Sequence, residues 1–171
     1  MLKDTPRSGW LTIGIKDAES VAEHSFRTAL VGWILAKMEG ASEETVIKMC
    51  LLHDLEEARI GDVHAVGKMY LKETRSAYKD AFRGLFCEKE MAGLVSEMKA
   101  GKTREAVLAN DADKLEMIFQ AKEYSDLGNP YSKEWIKKGM SRLKSNAAKK
   151  VAKEVIKRDS RKWLFEVKKR V

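Results

Sequence analysis

Apolar residues recur three and four positions apart along most of the chain, which is the spacing of one face of an α-helix. No run alternates apolar and polar residues as a half-buried strand would, and prolines occur only at positions 6 and 130. The pattern predicts an all-α fold, a bundle of about six to seven helices. We expect helices over about 19–39, from after Ser42 to about 57, and over 68–86, 88–99, 103–124 and 133–157.

The last segment, residues 160–171, is predicted to form a short helix held by apolar side chains, namely Trp163, Leu164, Phe165 and Val167. With 171 residues, the chain is long enough for one domain with its own core. We therefore expect a single domain over 1–171, with a helical extension from about 132.

The chain shows no pattern typical of a membrane or secreted protein. Its longest uncharged apolar stretch, 29–36, is far shorter than the ~20 residues that cross a bilayer. Residues 1–10 lack the apolar centre of a signal peptide. Cys50 and Cys87 fall within predicted helices and are expected to be reduced. We expect a cytoplasmic protein without a membrane partner.

The net charge of +7 is concentrated at one end of the chain. Residues 132–171 hold 15 Lys/Arg against four Asp/Glu, whereas residues 1–131 hold 18 against 22. A basic helical segment can attract nucleic acid or a membrane surface, but it is more often a solvated face. The charge alone leaves both interpretations open.

Four residues of the types that bind metals lie on the apolar sides of predicted helices: His24, His53, Asp54 and Asp113. A single inward histidine is commonly a hydrogen-bonded core residue. A buried carboxylate, however, needs a cation, because leaving it unpaired costs several kcal/mol; a lysine or a divalent metal can supply that charge. Two imidazoles with two carboxylates suit Mn, Co, Fe, Ni or Zn better than Ca.

The spacing of these residues resembles the H…HD…D signature of the HD-domain metal-dependent phosphohydrolases. Longer strings resemble the 5′-deoxynucleotidase branch of that family: PRSGW at 6–10, SVAEHS at 20–25, HDLEE at 53–57 with GD at 61–62, DADKLE at 111–116, and EMIFQAKEY at 116–124. The resemblance covers about residues 5–127. It implies an HD-type bundle and one divalent metal ion (Mn, Co, Fe, Ni, Zn or Mg), held by His24, His53, Asp54 and Asp113.

The same resemblance implies hydrolysis of 5′-deoxyribonucleoside monophosphates to deoxyribonucleoside and phosphate. Glu57 and Asp62 match the catalytic acidic positions, Trp10 matches an aromatic position near the sugar, and Arg7 and Lys68 match phosphate contacts. In the bacterial enzyme of the branch an arginine directly precedes the tryptophan, whereas here two residues separate them.

The chemistry of the two acidic positions is consistent with this role. Glu57 is four residues after His53, on the same face if the helix continues. Either carboxylate can orient a water or exchange a proton. The alternatives are a solvated Glu57, a turn-forming Asp62 and, for His64, a substrate contact or an exposed loop position. Other functions also remain open: an HD phosphohydrolase that acts on other nucleotides or phosphate esters, or a non-catalytic nucleic-acid-binding module that uses the basic C-terminal helices. A homodimer is expected if Trp33, Trp135 and Trp163 lie on a surface.

Overall fold

The computed structural model describes residues 1–71, 74–85 and 89–166, without the side chains of 74 and 75. Within these ranges the chain is helical, and its β-type pairing is one isolated bridge between Pro6 and Ser20. The prediction of an all-α fold is confirmed. Eleven helical segments are described: α1 (Ser8–Leu11), α2 (Val21–Glu39), α3 (Glu43–Leu52), α4 (Glu57–Ile60), α5 (Ala65–Tyr70), α6 (Thr74–Arg83), α7 (Lys89–Ala100), α8 (Arg104–Asp126), α9 (Ser132–Met140), α10 (Asn146–Val155) and α11 (Trp163–Glu166).

The core lies where α2, α3 and α8 pack against one another. Leu35, Met49 and Leu115, one from each helix, are completely buried there. Helix α2 begins with a capping box, in which Ser20 accepts the main-chain N–H of Glu23 while the Glu23 carboxylate accepts that of Ser20. His24 lies in α2, Asp113 lies in α8, and His53 and Asp54 directly follow α3, so the core sets the positions of these side chains.

The second predicted helix ends at Leu52 rather than at about residue 57. The ring nitrogen Nδ1 of His53 lies 2.7 Å from the carbonyl oxygen of Cys50, the acceptor that the N–H of Asp54 would use in a continuing α-helix. The chain instead tightens into turns that bond residues three apart, from Leu55 to Leu52 and from Glu57 to Asp54. The helix therefore stops where the HD pair begins.

Two other predicted helices are interrupted. The predicted helix 68–86 begins earlier, at Ala65, where the His64 side chain accepts the N–H of Gly67 at 3.2 Å as an N-cap. It ends at Tyr70, and α6 follows from Thr74. The predicted helix 133–157 is divided into α9 and α10.

The division between α9 and α10 depends on a buried carboxylate. Asp111 of α8 is fully buried, and its oxygens accept the N–H groups of Lys144 and Ser145 at 2.7–3.2 Å. Ser145 then caps α10 by accepting the N–H of Ala148. Because these N–H groups turn towards Asp111, the segment between the helices cannot continue as one helix.

The apolar residues of the last described helix are not buried as predicted. Trp163, Leu164 and Phe165 are 61%, 48% and 78% exposed, so they do not anchor α11. Val167 and Cys87 lie outside the described residues. Cys50 is buried and free. No helix in the described part of the chain is long and apolar enough to cross a bilayer.

Candidate active site

Three of the predicted ligand residues converge on one point between α2, the end of α3 and α8. The Nε2 atom of His24 lies 3.3 Å from Nε2 of His53 and 3.3 Å from Oδ1 of Asp113. Nε2 of His53 lies 3.8 Å from the same aspartate oxygen. These three ligand atoms all lie within 4.8 Å of one another, which is the arrangement expected of groups that share one cation.

Both imidazoles are oriented by the nitrogen that faces away from this point. Nδ1 of His24 contacts the carboxylate of Glu116, which is completely buried. Nδ1 of His53 contacts the Cys50 carbonyl oxygen. An acceptor at each Nδ1 places the proton there and leaves Nε2 free to act as a ligand.

The fourth predicted ligand, Asp54, lies at the edge of the cluster. Its Oδ2 atom is 3.1 Å from Nε2 of His53 and 3.7 Å from Nε2 of His24. The same oxygen accepts a hydrogen bond of 2.9 Å from Nη1 of Arg7, 47 residues earlier in the chain. Arg7, the predicted phosphate contact, therefore places a fixed positive charge at the edge of the cluster.

These charges shift the pKa values of the cluster in opposite directions. Burial and the charge of Arg7 both lower the pKa of His24, but its contacts with Asp113 and Glu116 outweigh them and raise it to about 10. Burial alone would raise the pKa of Asp113, yet the hydrogen bond with His24 and the charge of His53 bring it to about 2. Asp54 is likewise held well below the ordinary pKa of an aspartate, because the charges of His53 and Arg7 outweigh its burial.

Glu57 is the acidic residue next to this cluster. It is 1% exposed, and its Oε2 atom has no hydrogen-bond partner among the described residues. Burial first, and then the charges of Asp54 and Asp62, raise its pKa to about 9. Lys68 lies at the edge of ion-pair distance, with Nζ 4.0 Å from Oε1 of Glu57. A buried carboxyl group with a free oxygen is typical of residues that exchange protons.

Asp62 follows Gly61, whose φ of +74° turns the chain out of α4. Its Oδ2 atom accepts the main-chain N–H of Ser8 at 2.6 Å and the Ser8 hydroxyl at 3.2 Å. Residues 6–10, which we call the N-terminal strap, are tied down further by the bond from the Arg7 N–H to the Glu19 carbonyl at 2.9 Å. The strap therefore contacts both aspartates, Asp54 and Asp62.

Trp10, the predicted sugar contact, is buried. It is 2% exposed, and its ring packs against Trp135 at 4.7 Å and Tyr124 at 5.2 Å between ring centres. Its indole N–H donates to Oε1 of Glu19 at 2.9 Å. These contacts hold the strap against α8 and α9, and the sugar contact stays a prediction.

The sequence did not lead us to predict three residues that lie near the site. Glu116 and Arg27 lie three residues after Asp113 and His24, a spacing that puts each on nearly the same helical face as the ligand. Tyr78 of α6 lies under Lys68, with Nζ 5.2 Å from the ring centre. The spacing could have indicated the first two, whereas Tyr78 comes from a segment whose packing the sequence does not define.

An open cleft of about 830 Å³ lies on the other side of α2, lined by Glu19, Arg27, Gln120 and Tyr124 among others. None of the nine residues predicted to form the site lines this cleft. A second acidic group borders it, in which Glu19, His24 and Glu116 bring ligand-type atoms within 4.8 Å. Arg27 already contacts Glu19 and Glu116 at 3.5 and 2.5 Å, so a cation is present in this group without a metal.

Comparison with known proteins identifies a family and several sequence relatives. The profile of the HD domain matches residues 1–156. A protein named 5′-deoxynucleotidase HDDC2 from Dictyostelium discoideum is 37% identical over 136 residues, which cover 72% of each chain. Its counterpart from Danio rerio is 35% identical over 136 residues, covering 75% of this chain and 68% of the relative.

Solved structures show the same fold over almost the whole length. A conserved hypothetical protein from Pyrococcus furiosus superposes with a TM-score of 0.78 at 34% identity, covering 92% of this chain and 94% of the other. A protein from Pyrococcus horikoshii gives a TM-score of 0.79 at 32% identity, covering 91% and 93%.

Proposed function

This chain belongs to the HD-domain family, and from that premise we propose that it is a metal-dependent phosphomonoesterase. Its substrates would be 5′-deoxyribonucleoside monophosphates, which it hydrolyses to deoxyribonucleoside and phosphate. The convergence of His24, His53 and Asp113 is the observation that carries the reaction type. The substrate class is supported by the 5′-deoxynucleotidase names of relatives 35–37% identical to this chain.

The residues present fit a divalent ion. Two imidazole nitrogens and a carboxylate oxygen face one another, and Asp54, whose Oδ2 atom lies beside Nε2 of His53, can supply a fourth ligand. This donor set suits Mn, Co, Fe, Ni or Zn, and Mg with more water ligands. When bound, such an ion lowers the pKa of a water and offsets charge on phosphoryl oxygens.

We assign proton transfer to Glu57. Its Oε2 atom is buried and has no hydrogen-bond partner among the residues that the structure describes, so it can take the proton of an attacking water without first breaking a hydrogen bond. Asp62, whose Oδ2 is held by Ser8, is the second acidic position and orients the strap beside the reacting group. The raised pKa makes Glu57, once it is ionised, a stronger base than an ordinary glutamate.

Arg7 and Lys68 are assigned to the phosphate. Each lies against an acidic residue of the site, Arg7 on Asp54 and Lys68 beside Glu57. A phosphate that enters between them can exchange for these carboxylates as the partner of either cation. Trp10 would contribute to binding through the strap that carries Arg7, because its own ring is buried.

The test is phosphate release from a panel of 5′-nucleotides and small phosphate esters, with Mn, Co or Mg added to metal-stripped protein. We expect metal-dependent release from the deoxynucleotides. Asp54→Ala should abolish it, whereas Asp80→Asn, a change at an aspartate 71% exposed on α6, should leave it unchanged. Failure to hydrolyse any phosphate ester with any of these metals would refute the assignment.

We also propose that residues 132–156 belong to the same domain as the site. Gly139 of α9 lies so close to α8 that an added Cβ would be 2.6 Å from Ile118 and 2.7 Å from Met117. Ala148 and Ala152 of α10 are completely buried, and the family profile extends to residue 156. Truncation after residue 131 is expected to give an unfolded or aggregated product in circular dichroism and gel filtration.

A homodimer is proposed from one face of α2. Its exposed apolar residues lie at helical spacing and are 42–64% exposed, namely Phe26, Leu30, Trp33, Ile34 and Met38. A contiguous apolar surface of this kind is unusual on a monomer, and a second copy would cover it by two-fold pairing. Light scattering should give twice the chain mass, and Leu30→Glu with Ile34→Glu should give the monomer.

A further inference from the structure

Glu116 lies behind His24, on the side away from the metal-ligand cluster, and is completely buried. Both of its carboxylate oxygens are engaged. Oε2 contacts Nδ1 of His24, and Oε1 accepts hydrogen bonds from Nε and Nη2 of Arg27 at 2.8 and 2.5 Å. The carboxylate is therefore held between a predicted ligand imidazole and a guanidinium group. Rotating it towards another partner would break one of these contacts.

Arg27 is fixed just as firmly. Besides Glu116, its nitrogens donate to Oε1 of Glu123 at 2.8 Å, to Oε1 of Gln120 at 2.5 Å and to Oε2 of Glu19 at 3.5 Å. The planar guanidinium group matches carboxylates in fixed directions. Since four acceptors surround it, Arg27 cannot swing away from Glu116 without breaking several charge-assisted bonds.

We propose that Glu116 and Arg27 are a positioning pair that sets the orientation and the donor strength of His24. Arg27 neutralises and orients Glu116, and Glu116 in turn holds the Nδ1 proton of His24, so that Nε2 faces the cluster as an electron-pair donor. This inference rests on the metal site of the proposed function. Glu116 contacts the Nδ1 side of His24, and Arg27 contacts Glu116. Both therefore act through a ligand, and neither is a catalytic residue.

The two imidazoles of the cluster differ in a way that makes the inference testable. His53 is oriented by a main-chain carbonyl, that of Cys50, which no side-chain substitution removes. His24 is oriented by a side chain. Substitutions at Glu116 should therefore affect one imidazole and leave the other in place as an internal reference.

In the experiment, Co²⁺ is titrated into metal-stripped protein, and calorimetry measures the heat and the Kd of binding. Glu116→Met keeps the length of the side chain but removes both acceptors, and it should weaken Co²⁺ binding by about 10- to 100-fold. Glu116→Gln, which retains one acceptor, should lie between this variant and the wild type. Glu123→Gln is the matched control, because Glu123 contacts the same arginine but is 40% exposed and does not contact His24; its Kd should stay within about twofold.

A spectroscopic readout separates positioning from a general loss of structure. In the proton NMR spectrum of the Co²⁺-loaded protein, each ligand imidazole with a protected Nδ1–H should give a strongly shifted, solvent-exchangeable signal. Wild type should show two, and Glu116→Met should lose or broaden that of His24 while keeping that of His53. Thermal unfolding in EDTA will report whether each variant still folds.

The outcomes distinguish this inference from the proposed function. If the wild-type protein binds no Co²⁺, both are overturned. If the wild type binds Co²⁺ and folded Glu116→Met binds it within threefold of the wild type, or retains both shifted signals, the positioning pair alone is refuted. Equal weakening in Glu123→Gln would also refute it, because the effect would then come from the charge near Arg27 rather than from contact with His24.

Discussion

Replacing Glu57 with glutamine should abolish hydrolysis and yet make the metal-free protein more stable at pH 8. Glu57 is 1% exposed, its Oε2 atom lacks a partner within the described part of the chain, and the nearest cation, Lys68, is 4.0 Å away. Burial and the neighbouring acids raise its pKa from 4.5 to about 9. Folding therefore has to keep the side chain protonated at a pH where the unfolded chain would ionise it.

The sign of the pH dependence follows from this difference. Because the folded-state pKa lies above the unfolded value, the folded protein binds the proton more tightly, and stability falls as the pH rises from about 4.5 towards 9. At about 1.36 kcal/mol per pH unit, the loss at pH 8 is at most about 5 kcal/mol. Glutamine stays neutral but leaves polar atoms buried, which costs about 1–3 kcal/mol. We expect a net gain of up to about 2–4 kcal/mol at pH 8. At pH 5, where the loss from ionisation is only about 1 kcal/mol, we expect a net loss of stability of about 0–2 kcal/mol.

The free energy of unfolding can be measured by urea denaturation in EDTA at pH 5, 6.5 and 8. Glu134→Gln serves as the control, because Glu134 is exposed on α9. Glu19 also has a raised pKa, about 8, caused first by burial and then by Glu116, so the wild type loses further stability with pH. Comparing Glu57→Gln with the wild type at each pH isolates the contribution of Glu57. A stability difference that does not change between pH 5 and 8 would refute the reasoning.

Two further substitutions test the packing that supports the site. Gly32→Ala should destabilise the protein by about 1–3 kcal/mol, because a Cβ there would lie 2.7 Å from Sγ of Cys50; Gly93→Ala, where nothing lies within 4 Å, should instead stabilise α7 by about 0.5–1 kcal/mol. Trp10→Ala should cost about 3–5 kcal/mol and raise KM, since the strap would lose its anchor, whereas Trp10→Phe should cost less. Thermal unfolding measures the stability of the Gly32, Gly93 and Trp10 variants, and steady-state kinetics measures the KM of the Trp10 variants.

Much of the fold follows from local patterns in the sequence. The 3.6-residue spacing predicts α2, α7 and α8 to within a few residues of their observed bounds. At two of the places where the prediction is wrong, a side chain has taken a main-chain hydrogen bond from the helix. His53 does so at the end of α3, and Asp111 does so between α9 and α10. Apolar spacing contains no information about such bonds.

In the candidate site, too, the sequence indicates which residues face the core but not the contacts between residues far apart in the chain. Helical faces bring His24, His53 and Asp113 towards the core, and their spacing made them candidates at once. The contact between Arg7 and Asp54 joins residues 47 positions apart, and no periodicity indicates it. The burial of Trp10 depends on Tyr124 and Trp135, from the opposite end of the chain, so only the folded structure reveals it.

The N-terminal strap links the two sides of His24. On the cluster side, Arg7 holds Asp54. On the opposite side, Trp10 holds Glu19, whose second carboxylate oxygen contacts the arginine that fixes Glu116. A displacement of the strap would therefore disturb a predicted ligand directly and His24 through its support. This explains in physical terms why an H…HD…D spacing alone specifies a kind of metal site, while residues outside that spacing decide how rigidly its ligands are held.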